Sequence, residues 1–249
     1  MAGVNLNANE KLIIGQDLDD AVTQAAEQVT KILAGQGPRS VALSGGRTPA
    51  ALYAKLAGPL RDRVDWSGIE WFWGDERTVP PDHADSNYRM ARENLLEPLA
   101  IPAERVHRMP ADAADLDAAA REYEQTIRQH VPAGADGVPQ FDLILLGMGA
   151  DGHTASLFPG SSGLNESQRL VVAHHVPSQN TWRMTLTYPV LLAAQHIVFL
   201  VTGADKAEML RTVLTSPLDA GPPSVRVRGA AGEVMWIVDA AAGRLVGAK

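Results

Sequence analysis

Short apolar or β-branched runs alternate along this chain with amphipathic segments, and several of the runs contain no charged residue at all. Such a run cannot leave one face of a sheet in water. It implies strands covered on both faces, the pattern of a parallel sheet with helices above and below. The runs are residues 11–14, 40–43, 69–73, 141–146, 169–176, 183–187, 196–202 and 234–238. Between them, Asp17 to Ala34 places Val22, Ala25, Ala26, Val29, Ile32 and Leu33 at helical spacing, with Gly35 and Gly37 as stops. Thr48-Pro49 reads as an N-cap followed by proline in the first helical position, opening a helix to Leu56. Residues 86–96, 114–130 and 206–214 supply further helices, and the Pro/Gly-rich stretch 131–140 reads as a surface loop. The alternation predicts an α/β fold with a mostly parallel, doubly wound sheet, and 249 residues suit one domain over 1–249.

The totals narrow the chemistry. A formal net charge of −7 argues against nucleic acid or an anionic membrane as partner. An anionic substrate would therefore need the few cations gathered in one place. With no cysteine, disulfides, thiolate nucleophiles and Cys-based zinc sites are excluded. Residues 1–10 are polar and lack the apolar core of a signal peptide, and no apolar run approaches membrane-spanning length. The expected compartment is the cytoplasm.

In a doubly wound sheet, ligands bind beyond the carboxyl ends of the strands. Unusual residues fall at four such ends. Ser44-Gly45-Gly46-Arg47-Thr48 runs from a strand through two glycines into a helix start, which suits a phosphate cradle of backbone N–H groups. It lacks the Gly-Lys-Ser/Thr ending of a Walker A loop. Asp75-Glu76-Arg77 offers a carboxylate to orient a base and a guanidinium to grip an anion; taken alone it would be a solvated charged turn. Gly147-Met148-Gly149-Ala150-Asp151-Gly152-His153 formally contains the dinucleotide fingerprint, but the acidic residue that should follow about 20 positions later is missing. Of the 7 histidines, His153 alone sits on a Gly-rich strand-end turn, where an imidazole can accept a proton from water. Asp151 or Asp75 is the candidate to set its tautomer. Finally, Lys206 follows Gly203 in the first turn of a helix, against the helix dipole unless an anion lies between them. Arg183, opening a strand, is a further candidate cation. His174 and His175 alternate across a strand and are bystanders, and with no HExxH-like spacing no metal is expected.

These blocks, with Ser86-Asn87-Tyr88 and the continuation Thr154-Ala155-Ser156-Leu157-Phe158-Pro159, resemble the successive signatures of 6-phosphogluconolactonases, in the family's order and over most of the chain. The resemblance implies a three-layer modified Rossmann-like fold. It implies hydrolysis of 6-phosphogluconolactone to 6-phosphogluconate without a cofactor, in the oxidative pentose phosphate pathway. It makes His153 the general base, Arg77 and Lys206 substrate cations, and Gly45-Gly46 the phosphate-side loop. The expected partner is a small phosphorylated sugar lactone, acting on a monomer or small homo-oligomer. Glucosamine-6-phosphate deaminases share the Gly-Asp-Gly-His block but continue it towards Asn-Glu-Pro, so a sugar-phosphate isomerase or deaminase is the neighbouring reading. A non-catalytic sugar-phosphate-binding domain is a third, disfavoured by the acidic balance. Residues 224–228 depart from the family pattern.

Overall fold

The structure is a computed structural model that describes residues 4, 6–35 and 39–246, so the expected stop at Gly37 lies outside the described residues. In chain order the elements are β1 (Glu10–Gly15), α1 (Leu18–Leu33), β2 (Arg39–Leu43), α2 (Arg47–Ala57), β3 (Ile69–Trp73), β4 (Asp75–Arg77), α3 (Asn87–Ala91), α4 (Leu116–His130), β5 (Leu143–Leu146), β6 (Val171–Val176), β7 (Thr181–Leu186), α5 (Tyr188–Ala193), β8 (His196–Val201), α6 (Ala207–Thr215), α7 (Pro223–Val227), β9 (Glu233–Asp239) and α8 (Ala240–Gly243).

Six strands form one parallel sheet in the order β1-β9-β8-β5-β2-β3. The central strands β5, β8 and β9 are buried except at His196 and Glu233, the first residues of β8 and β9, as their apolar runs require. Trp71, Phe72 and Trp73 are buried on β3, and Phe199 stacks on Trp236 across β8 and β9 at 4.0 Å. Burying each such side chain contributes about 1.5–3 kcal/mol. α1 begins where the Asp17 carboxylate accepts the Asp20 N–H, and it buries Val22, Ala25, Ala26, Val29 and Leu33.

α2 departs from the expected start. Its N-cap is Gly46, with φ of 110°, and no side chain caps it. That conformation strongly favours glycine, so the helix opens at Arg47, earlier than Thr48 would have set it. The Thr48 hydroxyl lies instead 2.9 Å from that of Thr202. α3 starts as the spacing predicts, with the Ser86 hydroxyl accepting the Arg89 N–H, and continues into a π turn over Arg92–Leu96.

The larger correction concerns the strands at 169–176 and 183–187. They leave the parallel sheet and form a second, antiparallel one in the order β4-β7-β6. Their burial is mixed, with exposed positions on both β6 and β7, which suits a small sheet wetted on one side. The short strand β4 was not expected. Gly74 connects the two sheets: its N–H donates to Leu43 O and its own carbonyl accepts from Leu186 N–H, each at 2.8 Å. The 131–140 stretch is a loop closed on itself, with Gly134 N–H donating to Val138 O and Gln140 N–H to Pro132 O, both 2.8 Å. Among the described residues, no helix is long and apolar enough to cross a membrane.

Candidate active site

The carboxyl ends of the central strands and the start of β4 open on a cleft of about 370 Å³. Ser44, Gly45, Asp75, Arg77, His153, Arg183 and Lys206 all line it. Segments far apart in the chain therefore meet where a doubly wound sheet places ligands.

His153 ends the turn that follows β5. Gly149 N–H donates to His153 O at 2.9 Å and Gly152 N–H to Gly149 O at 3.0 Å, so these two donors are engaged within the turn and do not face a substrate. Gly152 has φ of 76°, and a Cβ there would lie 2.4 Å from Pro222. Both the N–H and the hydroxyl of Ser224 donate to Gly152 O, at 3.0 and 2.9 Å. The 224–228 segment, which departs from the family pattern, thus braces the histidine turn from behind.

Asp151 Oδ1 lies 2.6 Å from His153 Nδ1 and accepts the His153 backbone N–H at 3.1 Å. An ionised carboxylate only accepts, so Nδ1 carries the proton and the Nε2 lone pair remains for another proton. Phe158 stacks on the imidazole at 3.9 Å and fixes its plane. Burial pushes the Asp151 carboxyl up, but the hydrogen bonds and charge of His153 outweigh it and hold the group below the ordinary aspartate value. Asp75 makes different contacts. It accepts from the Ser156 hydroxyl at 2.6 Å and from Asn87 Nδ2 through its backbone carbonyl at 2.9 Å. Of the two carboxylates weighed from sequence, Asp151 is the one that touches His153.

The cations are unusually placed. Arg77 on β4 and Arg183 on β7 are directly opposed cross-strand partners, and both line the cleft. Like charges in that position repel. Arg77 donates to Asp85 O, and Arg183 to Thr181 Oγ1 and Trp182 O. Among the described residues, neither guanidinium forms a salt bridge with a carboxylate. Burial, with Arg77 as the next cause, pushes the Arg183 value down. Lys206 ends the 3-10 turn Ala204–Lys206 and pairs with Asp205 at 3.0 Å. Two opposed arginines and a lysine thus share one cleft with the Asp75 carboxylate, an arrangement able to take up an anion.

The Ser44–Thr48 turn is divided. Ser44 and Gly45 face this cleft, while Gly46, Arg47 and Thr48 line an adjoining hollow shared with Asp239. That hollow carries Arg47 and Lys206 beside the carboxylates of Asp205 and Asp239. Gly45 is needed for space: a Cβ would fall 1.7 Å from Asn87 Oδ1.

Asn87, Ser156, Phe158 and Gln179 also line the cleft and were not singled out from sequence as site residues. Asn87 Oδ1 is buried without a hydrogen-bond partner among the described residues. Only its place in the Ser86-Asn87-Tyr88 block signalled it. Glu76, beside the site, is structural. Its carboxylate accepts the N–H groups of Arg77, Asn87 and Tyr88, and burial raises its value despite them. His174 is structural too, with Nε2–H donating to Ser156 O at 2.8 Å and Nδ1 accepting from Gly163 N–H. The one group of three spaced to hold a metal among the described residues, Glu70, His107 and His130, includes no residue that lines the cleft.

Residues 16–236 match the family model of glucosamine-6-phosphate isomerases/6-phosphogluconolactonase. A 6-phosphogluconolactonase of Synechocystis sp. is 39% identical over 240 residues, covering 96% of each chain. One from Streptomyces coelicolor is 37% identical over 243 residues, covering 93% of each. A solved 6-phosphogluconolactonase from Trypanosoma cruzi superposes with a TM-score of 0.85 at 30% identity, covering 99% of both chains.

Proposed function

This chain belongs to the glucosamine-6-phosphate isomerase/6-phosphogluconolactonase family, and on that premise we propose that it hydrolyses 6-phospho-D-glucono-1,5-lactone to 6-phospho-D-gluconate. The reaction is the lactone step of the oxidative pentose phosphate pathway and would take place in the cytoplasm, with the whole chain acting as one domain. The observation that carries the reading is the sharing of one cleft by an imidazole oriented for base catalysis and three cations, two of them opposed.

The phosphate dianion sits between Arg77 and Arg183, with Lys206 across the cleft and Ser44 and Gly45 at its edge. That placement relieves the repulsion between the two guanidinium groups and orients the lactone ring towards His153. His153 Nε2 takes a proton from water, and the hydroxide forms a bond to the lactone carbonyl carbon. Asp151 stabilises the imidazolium that results and keeps the proton of Nδ1 in place. Negative charge on the tetrahedral oxygen is balanced by the cleft cations. The bond from that carbon to the ring oxygen then breaks. The leaving oxygen takes the proton back from Nε2, giving a hydroxyl and a carboxylic acid that ionises in water.

The relatives of 37–39% identity quoted above are named for lactone hydrolysis, and the Thr154–Pro159 continuation has the lactonase form, which favours this reading over isomerisation or deamination. The test is a lactone hydrolysis assay corrected for spontaneous opening, with aldose–ketose conversion and ammonia release measured alongside. Hydrolysis faster than the blank is expected. Ammonia or ketose without hydrolysis would move the assignment to the other branch of the family.

A further inference from the structure

A second cluster of titratable groups has no part in the cleft chemistry. Glu70 lies near the start of β3, whereas the cleft lies past the far end of that strand. His107 follows the 3-10 turn Ala103–Arg105 and is tied to the same strand by its N–H, which donates to Trp71 O at 2.9 Å. His130 is the last residue of α4. Glu70 Oε2 lies 2.7 Å from His107 Nε2 and 3.7 Å from His130 Nδ1, and the three ligand atoms fall within 4.8 Å of one another. The two imidazole rings are only 4.2 Å apart.

We propose that Glu70, His107 and His130 form a binding site for Zn(II) or a chemically similar divalent transition-metal ion. Two imidazole nitrogens and one carboxylate oxygen are an established zinc ligand set, with a fourth position left to water. Bonds of about 2.0–2.2 Å in tetrahedral geometry place ligand atoms about 3.3 Å apart, between the two separations seen here. Two ligands are held in advance. The other oxygen of Glu70 accepts from Arg105, and Phe72 stacks on His107 at 4.6 Å. His130 is the most exposed of the three and completes the set by a small side-chain movement. His130 Nδ1, at 3.7 Å, is beyond hydrogen-bond reach of Glu70 and so is not committed to it. The Arg105 charge limits affinity. The ligands are separated by 37 and 23 positions in the chain, so no short sequence motif could announce them.

The test is equilibrium dialysis of the folded protein against Zn(II), with the retained metal quantified, and a parallel Co(II) titration followed by visible absorption. One equivalent of zinc and the strong bands of tetrahedral Co(II) are expected for the wild type. His130→Gln and His107→Gln should each weaken binding by at least about 100-fold, since even outer partners of metal ligands cost 10–100-fold. Far-ultraviolet circular dichroism of the metal-free variants establishes that both remain folded. Wild-type affinity in His130→Gln would overturn the site, as would a wild type that retains no zinc. Loss of binding in His153→Ala, with both histidine variants unaffected, would place the ion in the cleft and overturn it too.

Discussion

Arg228 is fully buried and Arg183 half-buried at the cleft, and the fold treats the two guanidinium groups in opposite ways. Arg228 is buried against Glu10, with Nε and Nη2 on the two carboxylate oxygens at 2.9 and 3.0 Å and Nη1 on the carbonyls of Val213 and Ser216. Trp236 Nε1–H donates to the same carboxylate. Arg183 faces another arginine and donates to a hydroxyl and a carbonyl oxygen; it forms no salt bridge among the described residues, although Asp75, Glu76 and Asp85 are near enough to offset part of the Arg77 charge. A charge neutralised inside the protein serves the fold. One that is left facing its like, without a salt bridge of its own, remains available to an anion from outside.

That contrast can be broken by experiment. The largest effect is expected at the cleft: His153→Ala should lower kcat by about 10²–10⁴-fold while the thermal midpoint stays near wild type. Near-full activity would remove His153 from the mechanism. Next, Arg228→Ala should destabilise the protein by about 3–5 kcal/mol, because Glu10 is left buried and unpaired, with activity per folded molecule retained. Denaturant unfolding measures it. Arg183→Ala should do the reverse. Losing a charge-assisted contact of about 1.5–3 kcal/mol raises KM for the phosphorylated lactone roughly 10–100-fold. Stability should hold or rise by at most about 1 kcal/mol as the repulsion with Arg77 disappears. If Arg183→Ala unfolds the protein as readily as Arg228→Ala, the distinction fails.

The smallest effect refines the Asp151 contact. Its carboxyl is held below the ordinary value in the folded state, so the stabilisation is present above about pH 4 and is lost as pH falls through the lower folded value. The difference in thermal midpoint between wild type and Asp151→Asn should therefore narrow below about pH 4. A constant difference down to pH 2 would show that the carboxylate is not what the histidine turn relies on.

The sequence exposed the parallel sheet because burial on both faces leaves a plain signal: strands at 69–73, 196–202 and 234–238 were found within a residue of their observed ends. The second sheet was not separated from the first, because β6 and β7 read as strands like the others and composition does not record which sheet a strand joins. β4 is three residues of charge, too short for any periodicity, and its existence depends on β7 pairing with it. α5, α7 and α8, at four to six residues, are shorter than two helical turns and were missed for the same reason. At the site, the strand-end positions of Ser44, Asp75, Arg77, His153 and Lys206 were legible from Gly-rich turns. The choice of Asp151 over Asp75 as the partner of His153 and the opposition of Arg77 to Arg183 were not, since both depend on backbone geometry across turns and strands.

The peptide at Gly74 gives the cleft a mechanical character. One wall belongs to the large sheet and the other to the small one, and this single unit is hydrogen-bonded to both. A dianion gripped by Arg183 on one side and Lys206 on the other would act as a strut across that seam. Occupancy should then be felt at the Leu186 amide, whose hydrogen exchange should slow when the cleft is filled.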